Sequence, residues 1–205
     1  MKEFAFFLAA ALVVALTPGP GIFYVAARTM AGGRAEGLAS TFGTGLGGLL
    51  HVLAGALGVS ALVLASAEAF TLLKLAGAVY LVWLGIKTAR ESGIAVEGPV
   101  AATGAGRAFR EGIVVEALNP KTAAFFLAFL PQFVDPAAGG VAGQFALLGC
   151  VSVLLNTGVD AAVVFGAVRA RAGLTRRPDL LRRVRMASGI AICGLGALLA
   201  FARRP

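Results

Sequence analysis

The chain has 205 residues, of which 59% are hydrophobic and only 14% charged, with a mean hydropathy of +0.88 and a formal net charge of +8. Soluble domains are about 45–50% apolar and about 25% charged, so this chain lacks the polar surface to cover a water-soluble globule and needs lipid as the solvent for much of its length. Its two cysteines, Cys150 and Cys193, lie in separate apolar runs and it has a single histidine, which excludes a disulfide framework and leaves little room for a structural or catalytic metal.

Six apolar stretches follow in order, at 4–27, 42–65, 70–86, 113–134, 142–168 and 186–202. A spanning helix needs about 20 mostly apolar residues, and none of the six alternates with period two as a barrel strand does. The expected fold is therefore all-α, a polytopic transmembrane helical bundle of six spans embedded in a lipid bilayer. The first stretch follows Lys2 and contains Val13-Val14-Ala15, features of a signal peptide, but its apolar pattern resumes beyond Gly21 and the other five spans require a membrane regardless. Twenty-eight glycines suit helices that approach closely in lipid. The run Gly43-Thr44-Gly45-Leu46-Gly47 contains GxxxG, a close-packing motif and a weak pointer to a homodimer.

The basic residues sort by loop. Arg28 and Arg34 follow the first span; Lys87, Arg90, Arg107 and Arg110 follow the third; seven arginines between Arg169 and Arg185 follow the fifth. The loop after the second span has only Lys74, and the loop after the fourth has none. Short cytoplasmic loops carry the Lys/Arg excess, so the loops after spans 1, 3 and 5 are expected in the cytoplasm. The arginine cluster reads as topology and contact with anionic lipid, not as a nucleic-acid site. Residues 94–108 form a Gly- and Ala-rich cytoplasmic linker. It divides the chain into a first three-helix repeat, 1–93, and a second, 109–205. An odd number of spans in each half makes the two insert with opposite orientation, the arithmetic of an inverted repeat.

The first helix of each half is interrupted, by Thr17-Pro18-Gly19-Pro20 and by Asn119-Pro120-Lys121, with Pro131 further on. Proline removes a backbone donor and clashes with the carbonyl four residues back. In hydrocarbon such a break survives only where protein or a wet cavity satisfies the freed groups. Thr17 and Asn119 are good N-caps, with Pro18 and Pro120 at the favoured first helical position. Each restart would aim the positive end of a half-helix at mid-membrane, where it attracts an anionic group such as a substrate carboxylate. Paired breaks in two halves point to a transporter site; two ordinary proline kinks are the alternative.

Asp160 lies deep in the fifth span, where a charge is costly and requires a partner. Its expected role is to take a proton or the substrate ammonium. Lys121 is expected either to bind a carboxylate, to pair with Asp160, or to snorkel. Asn156, one turn before Asp160, shares its helix face and either bonds substrate or bridges helices. Glu116, a turn before the second break, is a further proton-site candidate. His51 either titrates or packs as a satisfied core residue. Glu36, Glu68, Lys74 and Asp135 read as interfacial. No GxxxxGK[ST], HExxH or GxSxG with a usable histidine is present, so nothing points to an enzyme, and no cofactor or metal is implied.

The run Leu16-Thr17-Pro18-Gly19-Pro20, then Gly33-Arg34-Ala35-Glu36-Gly37-Leu38 and Gly43-Thr44-Gly45-Leu46-Gly47, resembles the N-terminal signature of the LysE-type (RhtB-like) amino-acid exporter family. Leu75-Ala76-Gly77-Ala78-Val79-Tyr80-Leu81 with Trp83-Leu84-Gly85 looks like that family's third span. Phe109-Arg110-Glu111-Gly112, Leu118-Asn119-Pro120-Lys121-Thr122-Ala123-Ala124-Phe125-Phe126 and Pro131-Gln132-Phe133 look like its fourth. The resemblance covers nearly the whole chain. It implies a bacterial inner-membrane permease that exports amino acids or close derivatives by antiport with protons. Members are described with five or six spans, which leaves the side of the N-terminus open. Glu116 departs from the family pattern, where an uncharged residue is more common. Two other readings stand beside export. A membrane thiol–disulfide electron carrier would need paired cysteines, and a non-transporting membrane subunit would leave the matched breaks and Asp160 unexplained.

Overall fold

A computed structural model describes residues 2–59, 61, 67–90, 101–170 and 178–201, and the described residues contain helices and no strands. Seven α-helices are seen among them: α1 (Lys2–Leu16), α2 (Pro20–Ala54), α3 (Ala67–Arg90), α4 (Ala105–Ala117), α5 (Pro120–Ala124), α6 (Val141–Ala170) and α7 (Pro178–Phe201). A π-helical turn, Gly55–Val59, extends α2. After α5 the ladder widens to a π-turn at Phe125–Phe129 and tightens to a 3-10 turn at Leu130–Phe133. Pro131 accounts for this, because it withdraws the donor that an α-ladder needs there.

The chain is an all-α membrane helical bundle, but its helices do not follow the six expected stretches one for one. Three are long and apolar enough to cross a membrane: Pro20–Gly58, Thr71–Arg90 and Val141–Gly166. Ala105–Ala117 and Pro120–Phe133 form a further apolar pair bent by 43° at the second break, while Glu3–Leu16 and Met186–Phe201 are shorter apolar helices. The loop expected after the first stretch, around Arg28 and Arg34, is helical. Its one irregularity is Gly33 (φ 72°, ψ −162°), a conformation open to glycine, which kinks α2 instead of ending it. Helix α4 starts at Ala105, inside the segment expected as linker; residues 94–100 and the arginines at 171, 176 and 177 lie outside the described residues.

Helix α2 shows why these sequences pack in lipid. Ser40, Thr41, Gly43, Thr44, Gly47 and Gly48 are buried, whereas Phe42, Leu46, Leu49, Leu50, Leu53 and Leu57 are exposed. The large apolar groups face outward and the small ones face neighbouring helices, as expected where lipid removes the hydrophobic drive for association. A β-carbon on Gly43 would lie 2.1 Å from the Phe109 carbonyl oxygen, and one on Gly112 would lie 2.8 Å from that of Ser40. The GxxxG face is thus spent on α4 of the same chain, not on a second copy. Helices α2, α4 and α6 pack together and α3 packs on α7. An apolar cluster that includes Phe7, Phe125, Phe129, Leu130 and Phe145 joins α1, the turns after α5 and α6, and reaches Leu81 of α3 and Ile192 of α7.

Candidate functional site

At the first break, α1 ends at Leu16 and the Thr17 hydroxyl turns back to the Val13 carbonyl at 2.7 Å. Helix α2 starts at Pro20, with Gly19 extended (φ −148°, ψ −174°) as its N-cap and no side-chain cap. Thr17 and Pro18 therefore do not cap a restart. They close α1, because the second proline of the pair, Pro20, is the one that sits at the first helical position. Pro18 has no N–H, so the Val14 carbonyl four residues back loses its α-ladder partner. It receives a bond from the Thr17 N–H at 3.2 Å and one from the Lys121 ammonium at 2.9 Å; Lys121 also donates to the Thr17 carbonyl at 3.0 Å.

The second break follows its sequence. Asn119 is extended (φ −72°, ψ 111°) and its Oδ1 accepts from the Lys121 N–H at 3.0 Å, with Pro120 first in α5. Its Nδ2 donates to Glu116 Oε2 at 2.9 Å, and the Thr122 hydroxyl donates to Glu116 Oε1 at 2.6 Å. A β-carbon on Gly21, the second residue of α2, would lie 2.7 Å from the same Oε2. The starts of both restarted helices thus face one carboxylate, the buried Glu116. The position where sequence reasoning expected a substrate carboxylate is taken by the carboxyl group of Glu116.

Asp160, wholly buried on α6, accepts from the Thr44 hydroxyl of α2 at 2.9 Å. Its Oδ1 has no hydrogen-bond partner among the described residues. Such a group is expensive in a membrane interior. Beside its partner Thr44 lies a small pocket between α1, α2, α4, α6 and the turn after α5. Thr44, Glu116, Thr122, Ser152 and Asn156 supply its polar wall; Ala11, Val14, Ala15, Phe125, Phe126 and Val153 supply the apolar one.

Of the residues singled out from sequence, Glu116 and Asn156 line the pocket and Asp160 stands behind Thr44. Thr17, Pro18, Gly19, Pro20, Asn119, Pro120 and Lys121 shape the two breaks without lining it. Thr44, Thr122 and Ser152 were not foreseen as site residues; Thr44 was visible only as the polar residue inside the Gly43–Gly47 run. His51 stacks on Phe126 with ring centroids 5.8 Å apart. Its Nε2 is 3.0 Å from the Glu116 carbonyl, and since a carbonyl only accepts, that nitrogen carries a hydrogen. Cys150 and Cys193 are both free, and the Cys193 thiol points to the Val82 carbonyl at 3.4 Å.

A second polar cluster ties α2 to the start of α4. Arg28 pairs with Glu111, and donates to the Tyr24 hydroxyl at 3.2 Å and the Thr103 hydroxyl at 2.8 Å. Glu36 accepts from the backbone N–H groups of Thr103 and Gly104 at 2.8 and 2.6 Å, holding the residues just before α4, where Gly104 takes φ 85°. Arg28 and Glu36 are therefore buried, and Arg28 lies on a helix and not in a loop. The kink at Gly33, between them on α2, was not legible.

A family model described as LysE type translocator matches residues 12–203. The chain is 34% identical over 206 residues to an uncharacterized membrane protein of Vibrio cholerae, covering 96% of each chain. It is 34% identical over 203 residues to a homoserine/homoserine lactone efflux protein of Salmonella typhimurium, covering 98% of this chain and 96% of the relative. It is 25% identical over 197 residues to a leucine efflux protein of an Enterobacter species, covering 95% and 93%. No solved structure matches the chain.

Proposed function

The chain belongs to the LysE type translocator family, a family of transporters and not of enzymes, and from that premise we propose that it exports amino acids or close derivatives across the bacterial inner membrane in exchange for protons. The observation that carries this reading is the pocket beside Glu116 and Asn156, set between the two broken helices and backed by the buried Asp160. Glu116 lines the pocket and Asp160 stands behind Thr44, while the Lys121 ammonium is bonded to carbonyls of α1, so the pocket has carboxylate charge with no cation bonded to it. A substrate ammonium and a proton each neutralise that charge, and competition for it couples the two fluxes. Substrate enters with its ammonium toward Glu116. The Asn156 amide and the Ser152 hydroxyl bond its carboxylate, and Phe125, Phe126 and Val153 enclose its side chain.

The two halves, 1–93 and 109–205, act as inverted repeats that rock about this pocket to alternate access. The loops after spans 1, 3 and 5 face the cytoplasm, following the basic residues. The efflux names of the Salmonella and Enterobacter relatives support export and a small amino-acid-like solute. The thiol–disulfide alternative would need Cys150 of α6 and Cys193 of α7 to act as a pair, and the Cys193 thiol is turned to the Val82 carbonyl.

The test is efflux of labelled homoserine and leucine from proteoliposomes holding the purified chain, with and without an imposed pH gradient. Gradient-stimulated efflux supports the whole reading. Efflux indifferent to collapse of the gradient removes proton coupling, and no efflux of any amino acid in a wider panel removes export.

A further inference from the structure

Lys121 is the point where the two broken helices touch. Its ammonium is buried, and both of its hydrogen bonds go to carbonyls at the end of α1, Val14 at 2.9 Å and Thr17 at 3.0 Å. Val14 is the residue whose carbonyl an α-helix would pair with the N–H of residue 18, and residue 18 is proline. The lysine stem runs along Gly19, where an added β-carbon would lie 3.4 Å from Cε and 3.5 Å from Nζ. The carbonyl end of a helix is its negative pole, so the ammonium is stabilised there without a carboxylate partner.

We propose that Lys121 is a positioning residue for transport and not a substrate ligand: its ammonium replaces the hydrogen-bond donor that Pro18 lacks and ties the end of α1 to the start of α5. Val14 and Ala15 on one side, and Thr122 and Phe125 on the other, are pocket walls. The strut therefore sets the pocket's width without entering it. Beside the longer bond from the Thr17 N–H, it gives the Val14 carbonyl a second donor in a membrane interior, where no water is at hand. The transport part of this inference rests on the export reading above; the structural part does not.

The test is a double-variant cycle of wild type, Lys121→Met, Pro18→Ala and the two combined. Each is examined by thermal unfolding in detergent and by homoserine and leucine transport in proteoliposomes. Lys121→Met is expected to unfold several degrees lower and to lose at least tenfold in maximal rate. Pro18→Ala restores an N–H opposite Val14. The combined variant is expected to recover at least half of both losses, with KM within about twofold of wild type. If Lys121→Met cannot be isolated folded, recovery of folded protein in the combined variant gives the same answer. The proposal is overturned if Pro18→Ala restores nothing, or if Lys121→Met keeps its thermal stability while KM rises tenfold or more, as loss of a substrate ligand would produce. If the wild type carries no amino acid, the export reading fails on its own and the unfolding data still decide the strut.

Discussion

Gly21 of α2 and Glu116 of α4 meet so closely that a β-carbon on the glycine would stand 2.7 Å from the carboxylate oxygen Oε2. Glu116 cannot swing aside without cost, because Asn119 and Thr122 hold its two oxygens. Gly21→Ala is therefore expected to destabilise the protein by about 1–3 kcal/mol, the usual range for overpacking a filled site. The measurement is thermal unfolding in detergent. An unchanged midpoint would mean that the helix starts are not packed on Glu116 as described.

Thr44 and Asp160 offer a test of the charge. Asp160→Asn keeps the shape and lets the amide oxygen accept from the Thr44 hydroxyl, but removes one of the two carboxylates. The expected outcome is a folded protein whose pH-gradient-driven efflux falls at least tenfold. Wild-type efflux by this variant would take Asp160 out of the coupling mechanism. Thr44→Val removes the donor instead, leaves a buried carboxylate oxygen without its bond and is expected to cost about 1–3 kcal/mol. Thermal unfolding reads that cost.

The contact between α2 and α4 is backbone against backbone. A β-carbon on Gly43 would meet the Phe109 carbonyl at 2.1 Å and one on Gly47 would meet that of Ile113 at 2.6 Å, whereas one on Gly58 meets nothing within 4 Å. Gly43→Ala and Gly47→Ala are expected to lower the yield of monodisperse protein severely, since carbonyls of a packed helix cannot retreat like side-chain tips. Gly58→Ala is expected to leave yield and unfolding midpoint within error or slightly improved. Size-exclusion profiles of the three variants made in parallel check this. Equal profiles would contradict the close approach of α2 and α4.

Much of this arrangement could be read beforehand from residues whose effect is local. Pro18, Pro20 and Pro120 keep an α-ladder from running through them, and Asn119 caps its helix as its side chain dictates. The helix start moved from Pro18 to Pro20 because two prolines compete for one first-turn position, and spacing does not rank them. Gly33 could not be picked from 28 glycines, since nothing in the residues beside it marks it as the one that takes φ 72°. The pairs Thr44 with Asp160 and Arg28 with Glu111 join residues far apart in the chain. Nothing in the spacing of either pair announces the contact. Composition placed the chain in lipid; only the fold showed that Lys121 is spent on α1.

The Arg28–Glu111 pair gives the last prediction. Arg28 is nearly buried and Glu111 about a third exposed at their side chains, and Arg28 also holds the Thr103 hydroxyl and the Ala101 carbonyl. Removing the guanidinium leaves Glu111 with Arg107 and Tyr24, and leaves residues 101–104 held to α2 chiefly through Glu36. A fully buried pair broken on one side costs 3–5 kcal/mol; solvent at Glu111 screens this one, so about 1–3 kcal/mol is expected for Arg28→Gln. The loss is local to the start of α4. It should appear first as faster trypsin cleavage at Arg107, the first basic residue after the tethered segment, before the global unfolding midpoint moves. Arg34→Gln is the control: Arg34 is exposed, lies over the Phe165 ring at 5.7 Å and takes no part in the tether. Cleavage at Arg107 that is equally slow in wild type and Arg28→Gln would show that the guanidinium does not hold the segment in place.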